Sequence, residues 1–383
     1  MRKKTAIFIV LIFLIASLSG CGSQTESSTT ATPEATTAAA TASTTATAAS
    51  TVTTPDATTA TTAAATEGST QKPTEQKSSA GERVIGIAWY PDMEIEFISY
   101  VTRAVEETGG KWVMLAEVKS ADVNYAEDGS VKDLGEDGGL SEAAAALVKK
   151  NTWQGSNAEE ALKDVDFVIF PGGEDISPTL FRVPGQDIDP QELEDYNVNR
   201  DVSDYLTMSY CLDKDIPVMG ICRGMQMLAI VSGAEMLMDI PTYFANQGKE
   251  YNDEHRNPVP ASGGYRDYRP HDVTVAKDSL IYNIVGEETI NKVPSWHHVA
   301  VKNVDGTKLV VTGYTETNGL QIIEALERTD KTCAMGIQFH PEAAVGKNLD
   351  HAENAGDYIS KDKALAFFKW IVNADYLAMD EAA

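Results

Sequence analysis

The sequence predicts an α/β fold around a mostly parallel sheet, and three observations carry that expectation. A strand, a helix and a second strand follow one another between Arg83 and Leu115, the order from which parallel sheets are built. Short apolar runs of strand length recur at 165–170, 216–221 and 333–339. The body from Glu82 to Asp375, about 290 residues, has the size of one decorated α/β unit and shows no internal repeat.

"RVIGIAWY" (Arg83 to Tyr90) reads as a buried strand. "EIEFISYVTRAVEETGGKWVML" reads as a helix through Glu107, a stop at Gly109 and Gly110, and a second strand. The acidic, glycine-containing stretch from Lys119 to Gly139 has weak periodicity and is expected as a surface insertion before the helical "SEAAAALVKK". "VDFVIF" is the next strand, broken by Pro171, Gly172 and Gly173. A helix from Val202 to Leu212 leads into the strand "IPVMGI", and another helix starts near Gly224. The chain then reads as loop-rich from Pro241 to Arg269, with the strands "HDVTVA", "HHVAVK", "KLVVTGY" and "CAMGIQF" after it, the last ending on His340.

The ends of the chain read differently from the body. Arg2, Lys3 and Lys4, an apolar stretch from Ala6 to Ala16 and small residues up to Cys21 have the build of a secretory signal, and "LSGC" resembles the lipobox of bacterial lipoproteins. Residues 1–21 are therefore expected to be a signal peptide with lipidation at Cys21, which places the protein outside the cell, anchored to the outer face of a bacterial membrane. Residues 22–81, rich in Thr, Ala and Ser, are too poor in apolar surface to fold and read as a tether with a reach of about 45 Å. Residues 376–383 read as a C-terminal tail.

Acidic residues number 57 against 31 basic ones, a net charge of −26 that becomes −29 once the three basic signal residues are removed. Such a chain is a poor partner for nucleic acid. With Cys21 lipidated, Cys211, Cys222 and Cys333 remain, an odd number, so at least one thiol is expected to be free.

Three motifs carry chemistry. In "GICRG" (220–224) a cysteine sits between a strand and a helix with glycines on either side, the layout of a nucleophile elbow. The N–H groups and positive end of the helix behind it favour a thiolate. "QFHPE" (338–342) supplies His340 as a proton carrier. Glu342, two positions on, is expected to share one face of extended chain with it and to fix its tautomer. "FPGGED" (170–175) puts consecutive glycines at a strand's carboxyl end, where a bare backbone N–H can approach a developing oxyanion. Taken singly, each motif also fits a structural role: a buried cysteine, a hydrogen-bonded histidine, a glycine turn. Together all three fall at carboxyl ends of parallel strands, the edge where open α/β sheets assemble their sites.

These residues, with "PGGEDISP" (171–178), "RDVSD" (200–204), "RPHDV" (269–273) and "SWHH" (295–298) in the same order, make the chain resemble the class I glutamine amidotransferase superfamily. Within it the resemblance is to gamma-glutamyl-gamma-aminobutyrate hydrolase-like peptidases, over roughly Arg83 to Ile371. It implies a flavodoxin-like three-layer α/β/α fold, with Cys222 as nucleophile, His340 as general base and acid, and Glu342 as orienting carboxylate. It also implies an oxyanion hole from the N–H groups of Gly173 and Arg223, and substrate contacts at Gln226, Ser295, His297 and His298. No cofactor is implied. His255, His271, His297 and His298 offer no ligand pair at helical or knuckle spacing, so no metal site is expected.

The chain departs from the family pattern at Ala229, Ala234, Met238, Pro294, Val299 and Asp204. Several of these lie near the expected glutamyl end and bear on substrate identity. The resemblance therefore implies a cysteine-dependent hydrolase of small gamma-glutamyl amides acting through a glutamyl thioester. Two alternatives stay open: a binding lipoprotein that keeps the fold with altered catalysis, and a glutaminase-type subunit, although no phosphate-cradling loop is present. The oligomeric state is not legible.

Overall fold

The structure, a computed structural model, describes residues 83–182, 195–263 and 265–377. The signal segment, the lipidation site at Cys21, the tether and residues 378–383 lie outside the described residues. Those that are described fall in one unit of the chain, Thr74–Ala383.

The first half of this unit contains β1 (Val84–Ile87), α1 (Glu96–Glu107), β2 (Lys111–Met114), α2 (Glu142–Asn151), α3 (Ala158–Ala161), β3 (Phe167–Phe170), α4 (Val198–Lys214), β4 (Val218–Ile221) and α5 (Arg223–Val231). There follow β5 (Glu235–Leu237), α6 (Ile240–Asn246), β6 (Arg269–Val275), α7 (Leu280–Val285), β7 (Thr289–Ser295) and β8 (Ala300–Asn303). β9 (Leu309–Thr317), β10 (Leu320–Arg328), β11 (Ala334–Ile337), α8 (Pro341–Leu349) and α9 (Lys361–Asn373) complete it.

The main sheet runs β2-β1-β3-β4-β11-β10-β9-β6-β7. Its first five strands are parallel and the rest antiparallel, giving the flavodoxin-like α/β architecture expected. Helices cover both faces because strand side chains alternate. On β3, Phe167 and Ile169 pack with α1, α8 and α9, whereas Val168 and Phe170 pack with α2, α4 and α5.

Local chemistry sets the helix ends. Ser141 caps α2 by accepting from the Ala144 N–H at 3.3 Å, and Asn197 caps α4 by accepting from the Arg200 N–H at 3.2 Å. That cap starts α4 four residues before the expected Val202.

The stretch from Pro241 to Arg269 is loop-rich as expected, apart from the short α6 at its start, where Asp239 accepts from the Thr242 N–H at 2.8 Å and Pro241 occupies the first turn. Two expectations need correction. The 119–139 insertion is not merely a surface loop. Val123 and Val131 are buried in the core, and the Val131 N–H donates to Asn199 on α4 at 2.9 Å. The body also runs past residue 375. Tyr376 is 1 % exposed and its ring meets Phe167 and Trp370 at 5.5 Å, so the expected tail loses its first residue to the core.

Candidate active site

β3, β4 and β11 lie side by side and parallel, so their carboxyl ends bring Gly173, Cys222 and His340 to one edge of the sheet. Cys222 turns the chain from β4 into α5 with φ +50 and ψ −105, a strained conformation for a residue with a side chain, costing on the order of 1–3 kcal/mol. Its neighbours must be small: a Cβ on Gly220 would lie 2.3 Å from the Gly224 carbonyl carbon, and one on Gly224 would lie 2.2 Å from the Phe170 carbonyl oxygen. The Cys222 N–H donates to the Ile337 carbonyl at 2.7 Å, which fastens the elbow to the strand that leads to His340.

His340 is the N-cap of α8, held by its own N–H on the Pro294 carbonyl at 2.8 Å. Its Nδ1 is 2.6 Å from Glu342 Oε1. The expected pairing is present, but its geometry needs correction. Pro341 opens α8 immediately after His340, so Glu342 reaches the imidazole from the first helical turn and not along extended chain. A carboxylate only accepts, so Nδ1 carries the proton and Nε2 is the nitrogen left for chemistry. Nε2 is buried and has no hydrogen-bond partner among the described residues.

His340 and Cys222 flank Gly172: a Cβ there would lie 2.7 Å from His340 Cε1 and 3.6 Å from Cys222 Cβ. The sulfur is 3.7 Å from the Trp296 carbonyl and accepts from Gln338 Nε2 at 3.5 Å. Burial disfavours a charged imidazole at His340, but the Glu342 carboxylate and the Cys222 sulfur beside it outweigh that and raise it to about 10.

Beneath the edge lies a buried ion network. Arg200 donates to the carbonyls of Pro171 at 2.9 Å and Gly172 at 2.8 Å, and to Glu174 at 2.9 Å. Gly173 has φ +142, and a Cβ on it would lie 2.0 Å from Arg200 Nη1, so the loop's path demands glycine. Arg223 turns its guanidinium inward to Asp201 at 2.5 Å and to Asp204. As the first residue of α5, its N–H has no partner within the helix. "RDVSD" thus puts Asp201 and Asp204 on one face of α4 to hold the elbow from below.

Two cavities meet at Cys222, and Gly173, Glu174, Cys222 and Trp296 line both. The larger, about 450 Å³, is walled by Tyr90, Phe97, Tyr265, Tyr268 and Trp296, with Glu96 on its rim. The smaller, about 190 Å³, is polar and presents Asp175, Gln226, Arg256, His297 and His298. His298 bridges Asp175 at 3.1 Å and Asp239 at 3.2 Å. Burial alone would lower its pKa, but these two carboxylates raise it to about 9.

Of the expected substrate contacts, Gln226, His297 and His298 face the polar cavity and Ser295 does not. Ser295 is fully buried, and its hydroxyl donates to the His255 carbonyl at 2.9 Å. It anchors the 295–298 loop from behind.

Sequence reasoning missed the aromatic wall and the Arg200 brace, because their members come from separated segments with no short spacing to mark them. It also missed that His255, His271, His297 and Glu324 gather behind the polar cavity. Cys211 and Cys333 are unpaired and buried, and burial pushes both thiols well up.

The family profile described as Peptidase C26 matches residues 115–342. Protein NtpR of Enterococcus hirae is 29 % identical over 52 % of this chain and 74 % of its own length. A Schizosaccharomyces pombe protein provisionally named a glutamine amidotransferase is 30 % identical over 52 % of this chain and 71 % of its own. The gamma-glutamyl-gamma-aminobutyrate hydrolase PuuD of Escherichia coli is 26 % identical over 48 % of this chain and 66 % of its own.

Proposed function

The chain belongs to the peptidase C26 family, and from that premise we propose that it is a cysteine-dependent hydrolase of gamma-glutamyl amides. Cys222 gives its thiol proton to His340 Nε2 and Sγ attacks the side-chain carbonyl; a C–S bond forms, the carbonyl π bond opens, and the N–H groups of Gly173 and Arg223 take the charge that develops on oxygen. His340 Nε2 gives its proton to the amine nitrogen as the C–N bond breaks, leaving a glutamyl thioester. The same nitrogen then takes a proton from water as the water oxygen attacks. The oxyanion re-forms the carbonyl as the C–S bond breaks, Nε2 returns its proton to sulfur, and glutamate leaves with the thiol restored. Glu342 keeps Nδ1 protonated throughout, so that Nε2 does the exchanging.

The observation that carries this reading is the position of the sulfur between a polar and an aromatic cavity. A glutamyl group has an α-ammonium for Glu174 and Asp175 and an α-carboxylate for Arg256, with the His298 bridge fixing Asp175 beside it. The leaving amine then falls into the aromatic cavity. Val299, where the family usually has Gln, lines the polar cavity and removes one polar contact there. Ala229 and Ala234 are core residues and line neither cavity.

A second reading, a glutaminase that releases ammonia, has in its favour the likeness to proteins named as amidotransferases. Against it stands a leaving-group space of about 450 Å³, far more than ammonia fills. Glutamate release from a panel of gamma-glutamyl amides decides between them. The hydrolase reading expects kcat/KM for gamma-glutamyl arylalkylamines to exceed that for glutamine by at least about tenfold, because each buried methylene or ring face adds binding energy. Equal or better turnover of glutamine would support the glutaminase.

The signal and lipobox residues support a further proposal, export and attachment through lipid on Cys21. Cys21→Ala should move the protein from the membrane to the soluble fraction, and retention at the membrane would count against it.

A further inference from the structure

Behind the loop that carries Trp296 and His298, three histidines from separated segments gather around Glu324. Glu324 projects from β10, His271 from β6, His297 from the loop after β7, and His255 from the connection before β6. His255 and Glu324 are fully buried and His297 is 4 % exposed. His255 Nε2 and His297 Nε2 each lie 3.3 Å from Glu324 Oε1, and His271 Nε2 lies 3.7 Å from Oε2.

Each ring is held by its other nitrogen. His297 Nδ1 meets the Val299 carbonyl at 2.9 Å, His271 Nδ1 the Asp272 carbonyl at 3.3 Å, and His255 Nδ1 the Tyr251 hydroxyl at 3.1 Å. A carbonyl only accepts, so on His271 and His297 the proton of the neutral ring sits on Nδ1, and Nε2 turns a lone pair toward a carboxylate that also only accepts. His271 Nε2, His297 Nε2 and both Glu324 oxygens have no hydrogen-bond partner among the described residues. His255 Nε2 also touches Thr315 Oγ1 at 2.9 Å, a hydroxyl that rotates to suit either role.

Lone pairs facing lone pairs away from water call for a cation between them. A single proton satisfies one ring. The spacing fits a metal ion better: donors bound at about 2.0–2.1 Å around a tetrahedral ion are separated by about 3.3–3.4 Å, and the two closest separations match. Nδ1 contacts that fix the ring while Nε2 points inward are the usual outer support of metal-bound histidine.

We propose that His255, His297 and Glu324 hold a divalent transition-metal ion of the zinc type. Two imidazoles and one carboxylate favour zinc or cobalt over calcium or magnesium. Buried behind the loop, the ion is structural. Its role is to pin the loop whose Trp296 carbonyl faces the sulfur and whose His298 faces the polar cavity. The Ser295 hydroxyl and the His297 N–H, both donating to the His255 carbonyl at 2.9 and 3.1 Å, tie the same two segments beside it. The assignment does not depend on which amide the enzyme cleaves.

The test uses the full chain without a histidine tag, carrying Cys222→Ser so that the thiol cannot bind metal. Protein from zinc-supplemented cells is analysed for metal content, stripped with a chelator, and titrated with Co(II). The proposal expects about one zinc per chain and intense tetrahedral Co(II) absorption that saturates at one equivalent. It also expects a thermal midpoint that rises by several degrees, on the order of 5 °C, when zinc is restored. Glu324→Gln and His297→Ala should abolish the Co(II) band and the zinc-dependent shift. A parent protein with no bound zinc, no Co(II) band and a midpoint indifferent to zinc would overturn the proposal, leaving a buried imidazolium–carboxylate pair. This measurement needs no variant of the cluster to fold.

Discussion

His340 Nδ1 and Glu342 Oε1 lie 2.6 Å apart across the first turn of α8, with Glu342 fully buried and His340 4 % exposed. A charge-assisted contact of this length, shut off from water, fixes both the orientation and the tautomer of the imidazole. Glu342→Gln keeps the shape but removes the charge. It is expected to lower kcat by on the order of 10²–10⁴ with KM little changed. Steady-state kinetics of the variant check this, and a loss confined to KM would contradict it.

The same pair gives stability a pH dependence with a definite sign. The folded-state pKa of His340, about 10, lies above its ordinary value of 6.5. The charged imidazole therefore contributes stability that is complete below about 6.5 and is lost as pH rises through about 10. Thermal unfolding of wild type and His340→Gln across that window should show a difference that shrinks toward alkaline pH. A difference that grew with pH would reverse the assignment.

Arg200→Lys is expected to be far from conservative. Lysine has no planar fork to reach the Pro171 and Gly172 carbonyls together with Glu174. Breaking a buried charged network typically costs about 3–5 kcal/mol, and the loop bearing the Gly173 N–H moves with it. Chemical denaturation should register the loss, and kcat should fall more than KM rises. A variant as stable as wild type would mean that Arg200 does not brace the loop.

Tyr265→Ala opens the aromatic cavity without touching the polar one. It should raise KM for gamma-glutamyl amides of aromatic amines by about tenfold or more, while glutamine hydrolysis changes little, because ammonia does not touch that wall. Side-by-side kinetics on the two substrates decide it, and equal losses on both would show that Tyr265 serves the glutamyl side.

What could be read in the sequence was local. The elbow glycines around Cys222, the Pro171–Gly173 break and the strand ending at His340 each announce themselves within a few residues, and a parallel α/β reading then brings the three to one edge. Readings that required distance failed. Ser295 looked like a substrate contact until its hydroxyl proved to be engaged by the His255 carbonyl, 40 residues away. The Glu342 partner was right, but the local geometry was not, since Pro341 converts the strand end to a helix start. The gathering of the histidines did not show in the sequence because Glu324, on which they converge, sits on a different strand and is one ordinary acidic residue among 57. The α6 helix was missed because it is a mere seven residues long and its signal is confined to an aspartate cap with proline in the first turn.

The central claim is that Cys222 is a nucleophile served by His340, and labelling with an electrophilic glutamine analogue tests it most directly. Cys211 and Cys333 are buried with their thiols pushed well up, so they should stay silent at neutral pH. The account predicts one label per chain, mapped to Cys222 by mass spectrometry, blocked by a gamma-glutamyl amide and slowed at least a hundredfold in His340→Ala. A Cys222 that remains unmodified at neutral pH, or one that reacts equally fast without His340, would contradict it.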